Sequence, residues 1–467
     1  MPKSLQICKL LCNFAAFFFK IQNMKILIVG AGEVGTHLAK LLAREQANIT
    51  LLDEDANRLQ DLEFYDFLTF EGSPNSIHDL EEAGAAKVDL FIAVTPLESV
   101  NITACIIAKN LGAKKTLARI DNYEYLLPKN REFFEMLGIN HFIYPEVLAA
   151  QEIIESLKKN WMRKYLSFCN GELVLVSVKV RRNAEIINKK FHSAYFNHDK
   201  YRVVAINRNR ETIIPCENDE IYSNDIVYFV TSNENLDFVR KQTGKEDFKI
   251  KNVMVMGATR IAQKIVQSIP DGYNVKIIEK DRDTCLTLSE KLKNSTLIIN
   301  RDGRDAETLK EEDIANIDAF VAVTGSSETN MLACLVAKDL GVKKNIAEIE
   351  NLDYIALSEQ MDIGSIINKK IIAAGYIHQL MLDDDVLNIR TLPSVDAEIV
   401  EIIATDNSKI TEKQIKNLKL PKDVNIGGIV RNGTGLIANG DMQIQPNDHV
   451  IAFCKTNSTR KFNNYWF

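Results

Sequence analysis

Gly30, Gly32 and Gly35 stand in the run Gly-Ala-Gly-Glu-Val-Gly, directly after the apolar run Lys25–Val29. This is G-x-G-x-x-G at the exit of a short strand, a spacing whose chemistry is the cradling of a pyrophosphate. The first glycine allows the tight turn, the second lets backbone approach phosphate, and the third lets helix and strand pack closely. The helix that follows directs free amide hydrogens and its positive dipole end at the phosphates. Asp53 closes the next apolar run, about 20 residues downstream, where a carboxylate accepts hydrogen bonds from ribose hydroxyls. It would repel a 2′-phosphate, which favours NAD over NADP. Thr95 and Pro96 follow the apolar run Leu90–Val94, and Arg119 ends the run Lys115–Arg119. Both places are C-terminal strand ends, the edge where ligands bind in open α/β sheets. Arg119 there has two readings: a phosphate contact, or an ordinary salt bridge.

The same layout recurs at Asn252–Gln267 with fewer glycines. Gly257 is kept. Thr259 and Ala262 stand where the later glycines would be, Glu279 takes the place of the acid, and Glu348 stands where Arg119 stood. A branched side chain at Thr259 obstructs the approach of a pyrophosphate, and Glu348 reverses a phosphate-facing charge. This copy is expected to bind a dinucleotide weakly, to bind something else, or only to pack.

These residues need a parallel sheet to hold them, and the chain supplies one twice. "VDLFIAVT" and "IDAFVAVT" head equivalent units, followed by "NITACIIAKNLGAKK" and "NMLACLVAKDLGVKK". Internal similarity of this kind marks duplication. It continues into a β-rich second part, where Arg208 aligns with Arg431 and Asp225 with Asp448. Val174, Val176, Val178 and Val180 alternate with Leu173, Leu175, Ser177 and Lys179, the period of a half-buried strand. The expected fold is therefore α/β: tandem Rossmann-like, doubly wound parallel sheets, each followed by a small α+β domain. The expected boundaries are 24–145, a linker helix over 146–168, 169–240, 250–366, a crossover helix over 367–384, and 385–460, with the polar stretch 240–249 as the seam between halves. Cys105 and Cys334 are equivalent and sit on the apolar side of a helix, which implies packing.

The chain has 467 residues, 46% hydrophobic and 26% charged, with a net charge of −6. That is the composition of a globular protein, without the basic stripe that nucleic-acid binding needs. The eight cysteines form no CxxC, so no zinc knuckle or redox pair is signalled, and reduced, buried thiols are expected. No metal site is expected. None of the seven histidines matches a histidine in the other half, and no Walker A loop, HExxH or nucleophile elbow occurs. No catalytic residue is expected. The rival reading is an NAD-dependent oxidoreductase with a doubled Rossmann lobe, but it lacks a proton donor beside a nicotinamide. Leu10–Phe19 is apolar but shorter than the ~20 residues a spanning helix needs. Residues 1–23 read best as an over-extended start upstream of Met24.

The run "GAGEVG…LLDED…AVT…NITACIIAKNLGAKK…ARI…YEYL", a small β-rich lobe, and then the whole order again, resembles the TrkA family of bacterial potassium-uptake regulators. The likeness covers about Met24 to the C-terminus. It implies two RCK (KTN) nucleotide-binding domains and two TrkA-C domains in a non-enzymatic regulatory subunit. It implies a cytoplasmic protein on the inner face of the cell membrane, partnered with a membrane-embedded Trk potassium pore subunit and assembled as a homo-oligomer, dimer or tetramer ring. The family's nucleotide positions carry over onto Gly30, Ala31, Gly32, Glu33, Val34, Asp53, Thr95, Pro96 and Arg119. Helices at 145–158 and around 368–381 match those through which similar lobes pair. Two departures bear on the ligand: Ser73 follows Gly72 where an acid is common, and Pro96 stands where a polar residue is common. They leave NAD, NADH, ATP and ADP open.

Overall fold

The computed structural model describes residues 24–44, 47–196, 199–209, 211–292, 296–381, 386–392, 397–406 and 408–455. The expectation for residues 1–23 lies outside the described residues. The described residues divide into two compact units, one formed by those up to Leu148 with Lys369–Met381, the other by Ala149–Asn368 with those that follow Met381.

In the first unit, β1 (Lys25–Val29), β2 (Asn48–Asp53), β3 (Leu68–Glu71), β4 (Leu90–Ala93), β5 (Lys115–Arg119) and β6 (His141–Ile143) form one parallel sheet in the order β3-β2-β1-β4-β5-β6. Helix α1 (Glu33–Arg44) leads from β1 to β2, and α2 (Glu98–Leu111) from β4 to β5. The strand order reverses between β1 and β4, which pair from Ile26↔Leu90 to Val29↔Ala93. Such a switch point opens a crevice at the carboxyl ends of the strands. The central strands are apolar along their length because helices cover both faces. Leu27, Val29, Phe91, Ala93, Cys105, Ala108 and Ala118 share one core.

The second unit holds three sheets. The first is antiparallel, β10-β9-β11-β8-β7, built from β7 (Lys164–Phe168), β8 (Leu173–Lys179), β9 (Tyr201–Arg208), β10 (Glu211–Ile213) and β11 (Ile226–Thr231). Helix α3 (Pro145–Lys158) precedes it. The second is parallel and repeats the first unit's order as β14-β13-β12-β15-β16-β17, with β12 (Asn252–Met256), β13 (Asn274–Glu279), β14 (Leu297–Asn300), β15 (Ala319–Ala322), β16 (Lys344–Glu348) and β17 (Ser365–Ile367). Its helices include α4 (Arg260–Ser268) and α5 (Ser327–Asp339). The third is antiparallel, β18-β19-β22-β20-β21, from β18 (Val386–Leu392), β19 (Ala397–Ile403), β20 (Val424–Arg431), β21 (Thr434–Ile437) and β22 (His449–Lys455). The tandem α/β architecture expected from the repeat is present. Helix α6 (Lys369–Met381) belongs to the first unit, where it lies against α1.

Strand β8 differs from the expectation. Leu173–Val178 is buried on both faces rather than half-buried. Val174, Val176 and Val178 face the lobe's own core. Leu173 and Leu175 enter a second core that Ile399, Val430, Ile451 and Phe453 of the other antiparallel sheet complete. Two small sheets thus share an interior that neither could fill alone. Arg202 spans them, donating to Asn425 Oδ1 at 3.0 Å and to the Ala438 carbonyl at 3.3 Å. The aligned Arg–Asp pairs are ion pairs within each lobe, Arg208–Asp225 and Arg431–Asp448, both at 2.7 Å. A short helix, Leu236–Gln242, runs into the stretch 240–249.

Candidate functional site

The glycine loop begins where β1 ends. Gly30 takes φ +103°, the left-handed region, and its N–H donates to the Leu52 carbonyl at 2.8 Å. A Cβ on Gly35 would come within 1.9 Å of the Gly30 carbonyl oxygen, so α1 crosses the loop too closely for any side chain there. Gly32 is different. A Cβ on it would meet nothing within 4 Å, and its φ is not positive. Neither packing nor backbone conformation demands glycine at Gly32, and the loop is open there to approach from outside. That is the feature a phosphate-bearing ligand requires, and it fits the dinucleotide reading. Ala31 and Val34 are buried in the loop's underside.

Asp53 ends β2 and turns its carboxylate into this loop. Oδ2 accepts from the Ala31 N–H at 2.6 Å and Oδ1 from the Asp55 N–H at 3.0 Å, with the Arg58 guanidinium 3.6 Å away. The buried acid therefore first fixes the loop. Gly72, at the end of β3, donates to the Asp53 carbonyl at 3.0 Å. Ser73 hydrogen-bonds Glu54 at 2.6 Å, so a neighbouring carboxylate does sit at the tip of β2.

Thr95 lies at the carboxyl end of β4, and Pro96 beside it is exposed. Thr95 is held by Asn101, a fully buried residue of α2 that the sequence reading passed over. Asn101 Oδ1 accepts from the Thr95 N–H at 2.9 Å and hydroxyl at 2.8 Å, and its amide donates to the carbonyls of Thr95 and Arg119, both at 3.0 Å. One side chain so ties the ends of β4 and β5 together. The signal was available: Asn330 occupies the equivalent place and makes the same bonds to Thr324 and to the Glu348 carbonyl.

Arg119 donates from Nη2 to Glu146 at 3.2 Å, which matches the salt-bridge reading. Its Nε is nonetheless buried without a partner, as is Glu146 Oε2. A buried donor left unmade costs about 1–3 kcal/mol, so the arginine retains unspent hydrogen-bonding capacity at the strand edge. Glu33, at the start of α1, is exposed and pairs with Lys370 of α6 at 2.8 Å.

The second copy keeps the scaffold and alters the approach. Gly257 has φ +103° and donates to the Ile278 carbonyl at 2.9 Å. Glu279 repeats the role of Asp53, accepting from the Ala258 N–H at 2.9 Å and the Asp281 N–H at 3.0 Å. Thr259 stands at the place of Gly32, with its hydroxyl donated to the Val323 carbonyl at 2.8 Å. Its side chain is thus fixed over the loop. Glu348 ends β16 as Arg119 ends β5, and it is buried.

The cysteines divide. Cys105 and Cys334 are buried and donate to the Leu117 and Ile346 carbonyls, which accords with packing. Cys216 is exposed and Cys169 partly so, contrary to the uniform burial expected. Both lie on connections outside the repeated helices.

Comparisons with known proteins follow the same division of the chain. The TrkA-N domain model matches residues 26–145 and 253–369, and the TrkA-C domain model matches 175–244 and 399–465. The chain is 32% identical over 439 residues to the Trk system potassium uptake protein TrkA of Haemophilus influenzae, covering 92% of this chain and 95% of that one. It is 29% identical over 440 residues to a TrkA homolog of Archaeoglobus fulgidus, covering 94% and 99%. Among solved structures, the GsuK RCK domain aligns with a TM-score of 0.58 at 12% identity over 95% of both chains. The GsuK channel bound to NAD aligns at 0.55 and 14%, over 95% of this chain and 79% of that one. At such identity these structures show a shared fold.

Proposed function

The chain belongs to the TrkA family, and from that premise we propose that it is the nucleotide-binding regulatory subunit of a bacterial Trk-type potassium uptake system, not an enzyme. The observation that carries this reading is Gly32: a glycine that neither packing nor backbone conformation requires, at the open side of a loop pinned by Asp53. NAD or NADH is the proposed ligand of the first unit, with ATP or ADP as the alternatives. The loop from Gly30 to Gly35, with Ala31, Glu33 and Val34, would hold the phosphates; Asp53 would take the ribose; Thr95, Pro96 and Arg119 would line the opposite strand ends. Bound nucleotide supplies binding free energy here. The second copy, at Gly257 and Glu279, keeps the loop but not the access.

A ligand shifts a conformational equilibrium only by its differential affinity for the two states. The Glu33–Lys370 pair offers one route, because Glu33 opens the helix at the phosphate loop and Lys370 lies on the helix from the second half of the chain. Movement of the loop on binding would load or release that helix. The subunit would act at the inner face of the membrane, as part of a homo-oligomer docked on a membrane-embedded pore subunit. Among the described residues no helix is long and apolar enough to cross a membrane.

The test is potassium uptake in cells lacking this protein, complemented by wild type or by Gly32→Thr. Restored uptake with wild type only, together with nucleotide binding by wild type only in calorimetry, supports the reading. Uptake that is normal without the protein overturns it. Turnover of NADH with a small substrate would overturn the non-enzymatic part.

A further inference from the structure

Cys169, Glu401 and His449 lie together in the second unit, beside the core that its two antiparallel sheets share. Cys169 follows β7 of one sheet; Glu401 is on β19 and His449 opens β22 of the other. Cys169 Sγ donates to Glu401 Oε1 at 2.9 Å and lies 3.5 Å from His449 Nδ1, and His449 Nδ1 is 3.9 Å from Glu401 Oε1. Glu401 is 2% exposed, whereas Cys169 and His449 are partly open to solvent.

Two chemistries use such a trio. In a nucleophilic triad the histidine bridges cysteine and acid through opposite ring nitrogens. Here sulfur and carboxylate oxygen both converge on the same nitrogen, Nδ1. Convergence of three donor atoms on one point is instead the arrangement of a coordination sphere.

We propose that Cys169, Glu401 and His449 form a binding site for a borderline transition-metal ion, Zn2+ above all, which ties one small lobe to the other. With Zn–S of about 2.3 Å and Zn–N or Zn–O of about 2.0–2.2 Å, tetrahedral ligands stand roughly 3.4–3.6 Å apart. The sulfur–nitrogen distance already matches, and the hydrogen-bonded S···O distance opens by about 0.7 Å when a metal replaces the thiol proton. A hard cation such as Mg2+ or Ca2+ prefers oxygen donors and is a poor match for this set. On binding, the S–H bond breaks, a metal–sulfur bond forms, and one proton leaves to solvent. Nδ1 and the carboxylate each donate a lone pair, and the thiolate and carboxylate together neutralise the 2+ charge, which suits a half-buried place. The partly exposed side leaves a fourth position for water.

The duplication supports a specific origin for the trio. The register places Ser177 at the position of Glu401 and Ile226 at that of His449 in the other lobe. Neither residue of that pair matches the donor set, so the carboxylate and imidazole belong to one copy only. Nothing in the repeat's shared framework requires them.

The full-length protein, stripped with chelator and then loaded with Zn2+ alone, should retain about one equivalent after gel filtration, and Co2+ in its place should give a thiolate-to-metal charge-transfer band. Cys169→Ser should abolish the band, and both Cys169→Ser and His449→Gln should weaken zinc binding at least ~10-fold. Cys216→Ser, which removes an exposed thiol elsewhere, should change neither. Circular dichroism identifies any variant that fails to fold, and His449→Gln, at the partly exposed start of β22, is the second chance if Cys169→Ser does. Equal retention by the variants, a cobalt spectrum without the sulfur band, or no zinc retained by the wild type would each overturn the proposal.

Discussion

The two glycine loops of this chain share a backbone and differ on their open side. In both, the first glycine sits at φ +103° and bonds to the neighbouring strand, and an acid at the end of the next strand accepts two backbone N–H groups. In both, a buried asparagine joins the ends of the next two strands. What changes at the loop's open side is the approach: open space beside Gly32, and the anchored hydroxyl of Thr259 in its place. The acid and the asparagine therefore serve the scaffold in both copies, whatever else Asp53 does in the first. A motif can keep its fold-building part and lose its binding part, and only the geometry separates the two.

The sharpest way to break this comparison is to transplant the obstruction. Gly32→Thr should leave the first unit folded, because an added Cβ has no atom within 4 Å and the second copy carries a threonine at this place, yet reduce nucleotide affinity at least ~100-fold, about 2.7 kcal/mol. Calorimetry with NADH and ATP on wild type and variant reads it. Retained affinity would mean that the ligand enters elsewhere. The reverse change, Thr259→Gly, should not by itself create a site, because no arginine stands at Glu348.

A second contrast lies in a pair of equivalent lysines. Lys115 opens β5 and is exposed; Lys344 opens β16 and is buried, donating to the Met162 carbonyl at 2.9 Å and to Ser365 at 3.1 Å. Burial, with repulsion from Arg163 and Lys245, holds the Lys344 ammonium down to about 7. Between that value and the ordinary lysine value the unfolded chain binds more protons than the folded one. Stability must then rise with pH across this window and fall as pH is lowered toward 7, levelling off below it. The slope has an upper bound of about 1.4 kcal/mol per pH unit, and Lys245, lowered to about 8 chiefly by burial, adds to it with the same sign. Urea midpoints from pH 7 to 9 should climb for the wild type and for Lys115→Met, and climb less for Lys344→Met. An unchanged slope in Lys344→Met would sink the assignment.

Much of this was legible beforehand. Apolar runs ending in glycine or threonine mark buried parallel strands, and matching strings such as "AVT" and "AKNLGAKK" place them twice, so the tandem architecture follows from local pattern. Gly30 and Gly35 could be assigned their packing duties from spacing alone. The roles of Asp53 and Arg119 were only half legible, because a motif says which residue stands at a strand end and not what already occupies its polar atoms. Burial of both faces of β8 was hidden for another reason: its second partner is a sheet more than 200 residues away in sequence. The same distance conceals Cys169, Glu401 and His449, which no spacing rule would join.

Asp53 and Glu279 give a smaller test of scaffold against site. An asparagine at 53 keeps one acceptor but turns an amide toward one of the two N–H groups that the carboxylate now accepts. Asp53→Asn should weaken nucleotide binding about 10-fold, near 1.4 kcal/mol, along with some loss of stability. Glu279→Gln should cost only stability, within about 0.5–1.5 kcal/mol for a lost hydrogen bond. If both variants left nucleotide affinity untouched, Asp53 would be a loop anchor in the first copy as well, and the ribose contact would have to come from another group.

The smallest expected effect concerns the proposed route from loop to helix. Glu33 is exposed while Lys370 is largely buried, and such a pair contributes only about 0.2–1 kcal/mol to stability. Its interest is in coupling. In a double-mutant cycle with Glu33→Gln and Lys370→Met, measured on nucleotide affinity, a relay requires a nonzero interaction energy, on the order of 0.5 kcal/mol for a surface ion pair. It should shrink at high salt, because exposed charges are screened. Residues that merely sit side by side would give additive changes in affinity while still giving a coupling in stability. The cycle run on both observables therefore separates a structural contact from one that the nucleotide uses. Additivity in affinity would shift attention to Asn101, which joins Thr95 of the site to the end of β5 and so to the strand that carries Arg119.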